Sequence, residues 1–572
     1  MINKKLIFII ALLALAFATL GTRDLQIVDA QNRDYYSKIK DNQYLFGRIY
    51  EEVAKRYVEE VDPEKFIRAG IEGMLSELDP YTVYFENDEN DELEIMSKGN
   101  YGGLGMRIIK REGFPTIVEP PVPDTPAERA GIREGDQIIK IGDESTRDLT
   151  VSETAKRLRG NPGSKVSLTI QRAGEPEPIE FHLIRAVIEV TDITYKGLIG
   201  DRIGYIQLSH FSKRAGEEVR RAIEELKIAG MQKLILDLRS NPGGLLEAAA
   251  TVADNFLKPG EPIVATKGRT SDSNQEYSAR TTPIWGDEPL VILVDEASAS
   301  ASEIVSGAIQ DLDRGIIIGT PTFGKGLVQT VVQIGKDVDL KMTTAKYYIP
   351  SGRLIQKENV FHQNEKNIFS EETDSLVFSA TDSVKQPPEA FKTKNGRIVY
   401  GGGGIKPDVI VENERYNRFL TALERKSMFF GFAVEYAGKH SELKPGFEVT
   451  PEMLAGFKKY LSDKAFDYKP AGIAELEKLQ ASLKKEGKYA EVAPLVTQLT
   501  EGLNSGKAKD FDENVAFIKI RLKAEVSAKI GGMKAKVEAL LADDPVVRKG
   551  VEILSATDRY QALLSGETKK SD

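Results

Sequence analysis

The sequence predicts a multidomain α+β protein with an α/β core, and three observations carry that prediction. Between residues 203 and 408, short apolar runs alternate with helix-period segments, the mark of βαβ units. Between 99 and 185 the period shortens to strands separated by glycine turns. Outside these two stretches, apolar residues recur every three or four positions, so both terminal regions read as helical. A chain of 572 residues accommodates about four domains at roughly 150 residues each.

Composition removes several function classes. With 29% charged and 41% hydrophobic residues, the chain is globular rather than wholly disordered or fibrous. Lys and Arg number 78 against 87 Asp and Glu, a net charge of −9, so nucleic acid is not an expected partner. The absence of Cys excludes disulfide scaffolds, thiol nucleophiles and Cys-based zinc sites. Only His182, His210, His362 and His440 are present, and no HExxH spacing links them. Neither a metal nor another cofactor is expected.

Residues 1–30 read as a signal peptide or an N-terminal membrane anchor. Lys4 and Lys5 precede a charge-free apolar stretch from Leu6 to Thr22, with Ala18 and Ala30 as cleavage candidates. A spanning helix needs about 20 apolar residues, so the stretch fits either role. The protein is expected to be exported and periplasmic, either released or held at the inner membrane.

Residues 31–97 form the helical N-terminal region. Leu45, Ile49, Val53 and Tyr57 recur every fourth position. Asp62 and Pro63 open a second helix as N-cap and first helical residue, and Asp79-Pro80 follows its end. The acidic run Glu86 to Glu94 reads as a solvated linker.

Residues 98–186 order a glycine loop at Gly102-Gly103-Leu104-Gly105-Met106, the segment Ala130-Gly131-Ile132 with Gly135-Asp136, a helix near Val151 to Leu158, and the strand Val166 to Ile170. This order resembles a PDZ domain. The resemblance implies that the backbone N–H groups of Gly103, Leu104, Gly105 and Met106 receive a peptide's terminal carboxylate while its chain adds to a sheet edge.

Residues 187–411 form the α/β core, with strands at Gly204–Leu208, Leu234–Leu238, Leu290–Val294 and Ile316–Ile318. The polar stretch 357–394 reads as an insertion. Residues 412–572 are helical and Lys/Glu-rich, an appendage for packing or oligomerisation. Chain chirality and switch-point logic place the functional loops at the carboxyl ends of the strands.

Three such loops carry chemistry. In Asp237-Leu238-Arg239-Ser240-Asn241-Pro242-Gly243-Gly244, paired glycines at a helix start can turn backbone N–H groups toward an anion. Asp295 to Ser302 offers Ser298, Ser300 and Ser302 at a strand–turn–helix junction, as nucleophile candidates or as simple N-caps. In Gly324-Lys325-Gly326, a lysine held among apolar groups would be neutral enough to take a serine proton. Gln329 follows at a distance suited to orienting that amine. With so few histidines, a Ser–Lys pair is the better candidate than a Ser-His-Asp triad.

These motifs resemble the C-terminal processing, or tail-specific, serine peptidases over most of the span 61–408. The matching stretches are VDPEKFIRAGIEGMLSELDPYTVY, the PDZ-like segment, LILDLRSNPGGLL, VDEASASASEIVSGAIQD, TPTFGKGLVQT, TTAKYYIPSGRLIQ and GGGGIKPD. The resemblance selects Ser300 as nucleophile, Lys325 as general base, Gln329 as its orienting partner, and the N–H groups of Gly244 and Ala301 as oxyanion donors. It implies a serine endopeptidase that takes protein tails or unfolded chains through its PDZ domain, with room for an activating partner and for homo-oligomers. The rival reading is a non-catalytic PDZ adaptor or chaperone that binds exposed C-termini.

Overall fold

The computed structural model describes residues 34–86, 95, 99–111, 113–172, 175–335, 338–357, 389–412, 416–440 and 442–566. The leader at 1–30, most of the acidic run and most of the 357–394 insertion lie outside these residues. The chain divides into a small N-terminal unit ending at Tyr84 and a large unit from Phe85 onward.

The N-terminal unit is two helices, spanning 34–56 and Pro63–Leu75. Asp62 caps the second by accepting the Glu64 and Lys65 N–H groups, and Pro63 holds its first position. Tyr50 stacks on Phe66 at 5.5 Å, and Asp79 binds the N–H groups of Tyr81 and Thr82 just beyond the helix.

The large unit is mixed α and β, as the sequence predicts. Its centre is a six-stranded sheet of β1 (Ile193–Ile199), β2 (Ile203–Leu208), β3 (Lys233–Asp237), β4 (Leu290–Val294), β5 (Ile316–Gly319) and β6 (Val409–Ile410). β1 and β2 are antiparallel, and every later pairing is parallel. Between the strands lie α1 (Ala215–Ile228), α2 (Leu246–Ala253) and α3 (Ala301–Asp311).

Spatial order follows sequence order from β1 to β6. Right-handed crossovers that always step the same way put all their helices on one face. Accordingly Val219, Ala222 and Ile223 of α1, Ala249 and Val252 of α2, and Ile304, Val305 and Ala308 of α3 share one core with Ile206, Leu236 and Ile292. The strand order never reverses, so this sheet has no topological switch point. The loops nevertheless lie at the carboxyl edge, because each strand runs directly into one.

The opposite face of the sheet needs another cover. The C-terminal helices α4 (Pro545–Ser555) and α5 (Thr557–Ser565) supply it. Val546, Val547, Ile553, Leu554 and Tyr560 pack on Tyr205, Ile235, Val291, Leu293 and Ile316. Gly550 lets α4 lie close to the sheet: a Cβ there would sit 3.1 Å from Ile235. The Tyr560 hydroxyl receives the Leu290 N–H at 3.0 Å and faces the Leu290 carbonyl at 3.2 Å. The end of the C-terminal region is thus a layer of the core rather than an appendage.

The rest of that region has its own core, in which Phe419, Phe429, Phe432, Phe457, Ile518 and Leu522 pack together. The long helix Val515–Asp543 is broken at Gly532, whose φ of 70° is non-helical. The segment after Gly99 folds as an antiparallel sheet with the helix Val151–Leu158 and a core of Ile117, Ile138, Leu168 and Ile170. It docks on the C-terminal helices. Arg111 stacks at 4.4 Å from the Phe430 ring centre and donates to the Ser427 carbonyl at 3.1 Å, while Lys529 pairs with Glu134.

If α4 is core, Ile553→Ala should destabilise the protein by about 3 kcal/mol in urea unfolding, as core deletions do. Leu495→Ala, at an exposed position, should change it by less than about 0.5 kcal/mol. Equal small effects would return α4 to the surface.

Candidate active site

Three loops leave the carboxyl edge of the sheet side by side: 238–245 after β3, 295–300 after β4 and 320–326 after β5. Backbone bonds knit them together. The Asn241 carbonyl accepts the Ala299 N–H at 3.1 Å, and the Ser298 carbonyl accepts the Phe323 N–H at 3.0 Å. The Asp295 carboxylate reaches back across the first gap to the Ser240 N–H at 2.9 Å.

The three serines have different fates. Ser298 is buried and donates its hydroxyl to the Leu238 carbonyl at 2.8 Å. Ser302 is buried and donates to the Asn241 carbonyl at 2.9 Å. Both protons are committed to holding loops together. Ser300 is partly exposed and sits directly before α3 with φ 53° and ψ −111°. For a residue with a Cβ that conformation costs on the order of 1–3 kcal/mol, so its surroundings must impose it.

What imposes it is Glu303, one turn into α3 and fully buried. Its Oε2 accepts the Ser300 N–H at 2.8 Å and the Lys325 N–H at 2.9 Å. Its Oε1 accepts the Gly324 N–H at 2.7 Å and the Thr322 hydroxyl at 2.5 Å. One carboxylate oxygen therefore bridges the backbones of Ser300 and Lys325. The Tyr347 hydroxyl spans the same two residues from their carbonyl side, 2.6 Å from Lys325 O and 3.2 Å from Ser300 O. Burial, reinforced by the nearby Glu303 charge, pushes the Tyr347 phenol well up, so it remains a donor.

Lys325 itself is half-buried. Its flanking glycines have a steric cause in the segment Gln356-Lys357 lying against them. A Cβ at Gly324 would come within 2.7 Å of Lys357 Cγ, and one at Gly326 within 2.8 Å of the Gln356 nitrogen. Gln329 lies on the strand Leu327–Gly335, where its amide is 3.4 Å from the Thr343 hydroxyl across the ladder.

Gly243 and Gly244 bring the first loop against the second. A Cβ on Gly243 would lie 2.9 Å from the Ala301 nitrogen, and one on Gly244 would collide with the Phe211 carbonyl. Phe211 bonds to Gly243 O and Leu245 N on either side of Gly244, which turns the Gly244 N–H away from Phe211. Ala301 opens α3, where an N–H has no intrahelical acceptor. The close approach of Gly243 thus brings the loop that carries Gly244 against Ser300 and Ala301.

The glycine loop of the domain that follows Gly99 sits elsewhere. Gly103 ends a strand paired with Ala186–Glu189, and Leu104 is buried with its carbonyl bound by the Ala127 N–H at 3.0 Å. Gly105 has φ 82° and its carbonyl takes the Val122 N–H at 2.8 Å, while Met106 packs against the domain core.

Two of the described histidines have partners outside this constellation. His182 bonds Ser167 and His440 bonds Glu442, while His362 lies outside the described residues. His210 is half-buried, with its pKa lowered by desolvation. Among the described residues, no cluster of three or more metal-ligating side chains occurs.

Sequence reasoning did not find Glu303, Tyr347 or Thr322 as parts of the site. Glu303 left one signal, an acid in the first turn of an otherwise largely apolar helix, with Asp311 the other acid at its end. Tyr347 left none, since a tyrosine in an alternating strand reads as packing.

Desolvation pushes the Glu303 carboxyl up to about 7, against four hydrogen bonds that pull it down. A raised acid contributes stability that is present below its unfolded pKa, near 4.5, and lost as pH rises through the folded value. Relative to Glu303→Gln, the wild type should therefore lose stability between about pH 4.5 and 7 and run parallel above it. A constant difference in urea midpoints across that window would show that the carboxyl titrates normally.

Family comparisons bear on the whole chain. Residues 202–363 match peptidase family S41, 117–172 match the PDZ domain, and 18–89 match the activating protease CtpB N-terminal domain. Residues 419–554 match the C-terminal helical domain of a PDZ-protease family. The carboxy-terminal-processing protease of Bartonella bacilliformis is 37% identical over 62% of this chain and 80% of its own length. The carboxy-terminal processing protease CtpB of Bacillus subtilis is 33% identical over 55% of this chain and 65% of its own. A solved structure of a photosystem II D1 C-terminal processing protease aligns with 65% of this chain and 93% of its own at 25% identity and a TM-score of 0.33. The chain belongs to the carboxy-terminal processing proteases of peptidase family S41.

Proposed function

We propose that this protease is a serine endopeptidase working through a Ser300–Lys325 pair. The observation that carries the reading is the linkage of those two residues. Glu303 joins their N–H groups, Tyr347 spans their carbonyls, and the neighbouring serines are committed to structural bonds.

In the reaction, neutral Lys325 takes the Ser300 proton as the hydroxyl oxygen attacks the peptide carbonyl. The Gly244 and Ala301 N–H groups receive the developing oxyanion, and the N-terminus of α3 adds its positive end. Lys325 then passes the proton to the leaving amine, and water deacylates the enzyme with Lys325 again as base. Gln329 orients the lysine amine. No cofactor enters the scheme.

The PDZ domain accounts for substrate choice. A peptide's terminal carboxylate meets the N–H groups of Gly103, Leu104, Gly105 and Met106, and its chain extends the sheet. Substrates are then proteins with accessible C-termini or unfolded chains. The basic and apolar residues 1–30 support an activity outside the cytoplasm, in the periplasm, as a released enzyme or one held at the membrane. An activating partner and self-association through the helical regions are compatible with this arrangement.

Two variants test the reading on chain lacking residues 1–30, with casein as an unstructured substrate. Ser300→Ala should abolish cleavage while leaving the unfolding midpoint in place, and full activity in that variant would remove Ser300 as nucleophile. Lys325→Ala should lower the rate by at least about 10³-fold, as loss of a general base does in related constellations. Recovery of the Lys325→Ala rate at high pH would point to another base. If wild type also fails to cleave, the binding-only reading or a partner requirement stands in its place, and capture of free-C-terminus peptides separates the two.

A further inference from the structure

We infer that Asp544, on the far face of the central sheet, is a positioning residue for the oxyanion loop, acting through Arg239. The inference rests on the assignment of Ser300 and Gly244 above.

Asp544 stands at the start of α4 and has two roles in one carboxylate. Its Oδ1 caps the helix by accepting the Val546 and Val547 N–H groups at 2.8 and 3.0 Å. Its Oδ2 lies 2.8 Å from Arg239 Nη1. Capping needs only one oxygen, so the second is available to serve the loop without loss to the helix.

Arg239 is the second residue of that loop. Its guanidinium, with 16% of the side chain exposed, also grips Asp237 through Nε at 3.0 Å and Nη2 at 2.6 Å, and its own N–H bonds Asp237 at 2.9 Å. Asp237 is fully buried and holds the Tyr205 hydroxyl at 2.5 Å. Arg239 thus sits between two carboxylates, one at the end of β3 and one on the C-terminal layer. Losing either leaves a buried cation half-compensated, and such a group seeks solvent or shifts its backbone.

The loop that follows has little slack. Ser240 has φ 57° and is pinned by Asp295, and Asn241 donates to the Leu208 carbonyl at 2.7 Å while its Oδ1 receives the Gly243 N–H at 2.9 Å. A shift at Arg239 is therefore transmitted along the chain to Gly243 and to the direction of the Gly244 N–H. Through this route the C-terminal layer sets the donor geometry at a site on the sheet's edge.

The test uses the full chain with Asp544→Asn, Asp544→Glu and Ser300→Ala. Asn caps a helix as well as Asp does but carries no charge to Arg239. Asp544→Asn, which leaves the Arg239 cation with one carboxylate partner, should keep the wild-type KM while kcat falls about tenfold, less than the 10²–10³ lost with an oxyanion donor itself. Amide hydrogen exchange in residues 239–244 should quicken in that variant, a readout that does not depend on turnover. Asp544→Glu, which restores the charge, should recover most of kcat and slow the exchange again. Wild-type kcat and wild-type exchange in Asp544→Asn would overturn the inference, as would a loss in which both variants melt lower and lose kcat together. If Ser300→Ala still cleaves, the catalytic assignment fails; if it is inactive while Asp544→Asn behaves as wild type, only the positioning role fails.

Discussion

The spacing of Ser300 and Lys325 at the carboxyl edge of this sheet depends on one buried carboxylate. Glu303 has no solvent to compensate its charge, and it is held by four donors, three from the loop 320–326 and one from Ser300 directly before α3. A buried acid is costly unless its oxygens are fully bonded, so the same arrangement that satisfies Glu303 fixes the loops that satisfy it. The positive φ of Ser300 is tolerable because its N–H is tied to Glu303 and its carbonyl lies beside Tyr347. Lys325 is held by the same two groups, which makes the spacing of the pair a property of the frame rather than of either loop.

The second constraint is topological. A sheet whose strands follow one another in sequence order receives all its crossover helices on one face. The other face, lined by Tyr205, Ile235, Val291 and Leu293, would be open without a cover from elsewhere in the chain. α4 and α5 provide it, so the C-terminal region is tied both to the core and, through Asp544 and Arg239, to one of the site loops. The same region also holds the PDZ domain through Arg111 and Lys529. One helical region thus borders both the peptide-binding module and the back of the peptidase sheet.

Much of this was legible in the sequence, for reasons particular to each element. Buried parallel strands such as Leu290–Val294 announce themselves as unbroken apolar runs, and Asp62-Pro63 marks a helix start by chemistry alone. The three loops were recognisable from glycines, serines and a lysine that follow apolar strands. Local pattern could not choose among Ser298, Ser300 and Ser302, because the hydroxyls of Ser298 and Ser302 are committed by bonds to Leu238 and Asn241, far away in sequence. Glu303 went unnoticed for the same reason: its partners Thr322, Gly324 and Lys325 arrive with the next crossover. The role of α4 was hidden because an amphipathic helix at the chain end reads alike whether it covers a sheet or faces water. Strand order, which decides that question, is not written in any single segment.

The central claim is that Ser300 and Lys325 form one reactive unit, and covalent labelling addresses it most directly. The chain would be treated with a fluorophosphonate reagent and its peptides mapped by mass spectrometry, with Lys325→Ala alongside. The account predicts a single adduct on Ser300 in the wild type and its loss in Lys325→Ala. An adduct on Ser298 or Ser302, or labelling of Ser300 undiminished without Lys325, would contradict it.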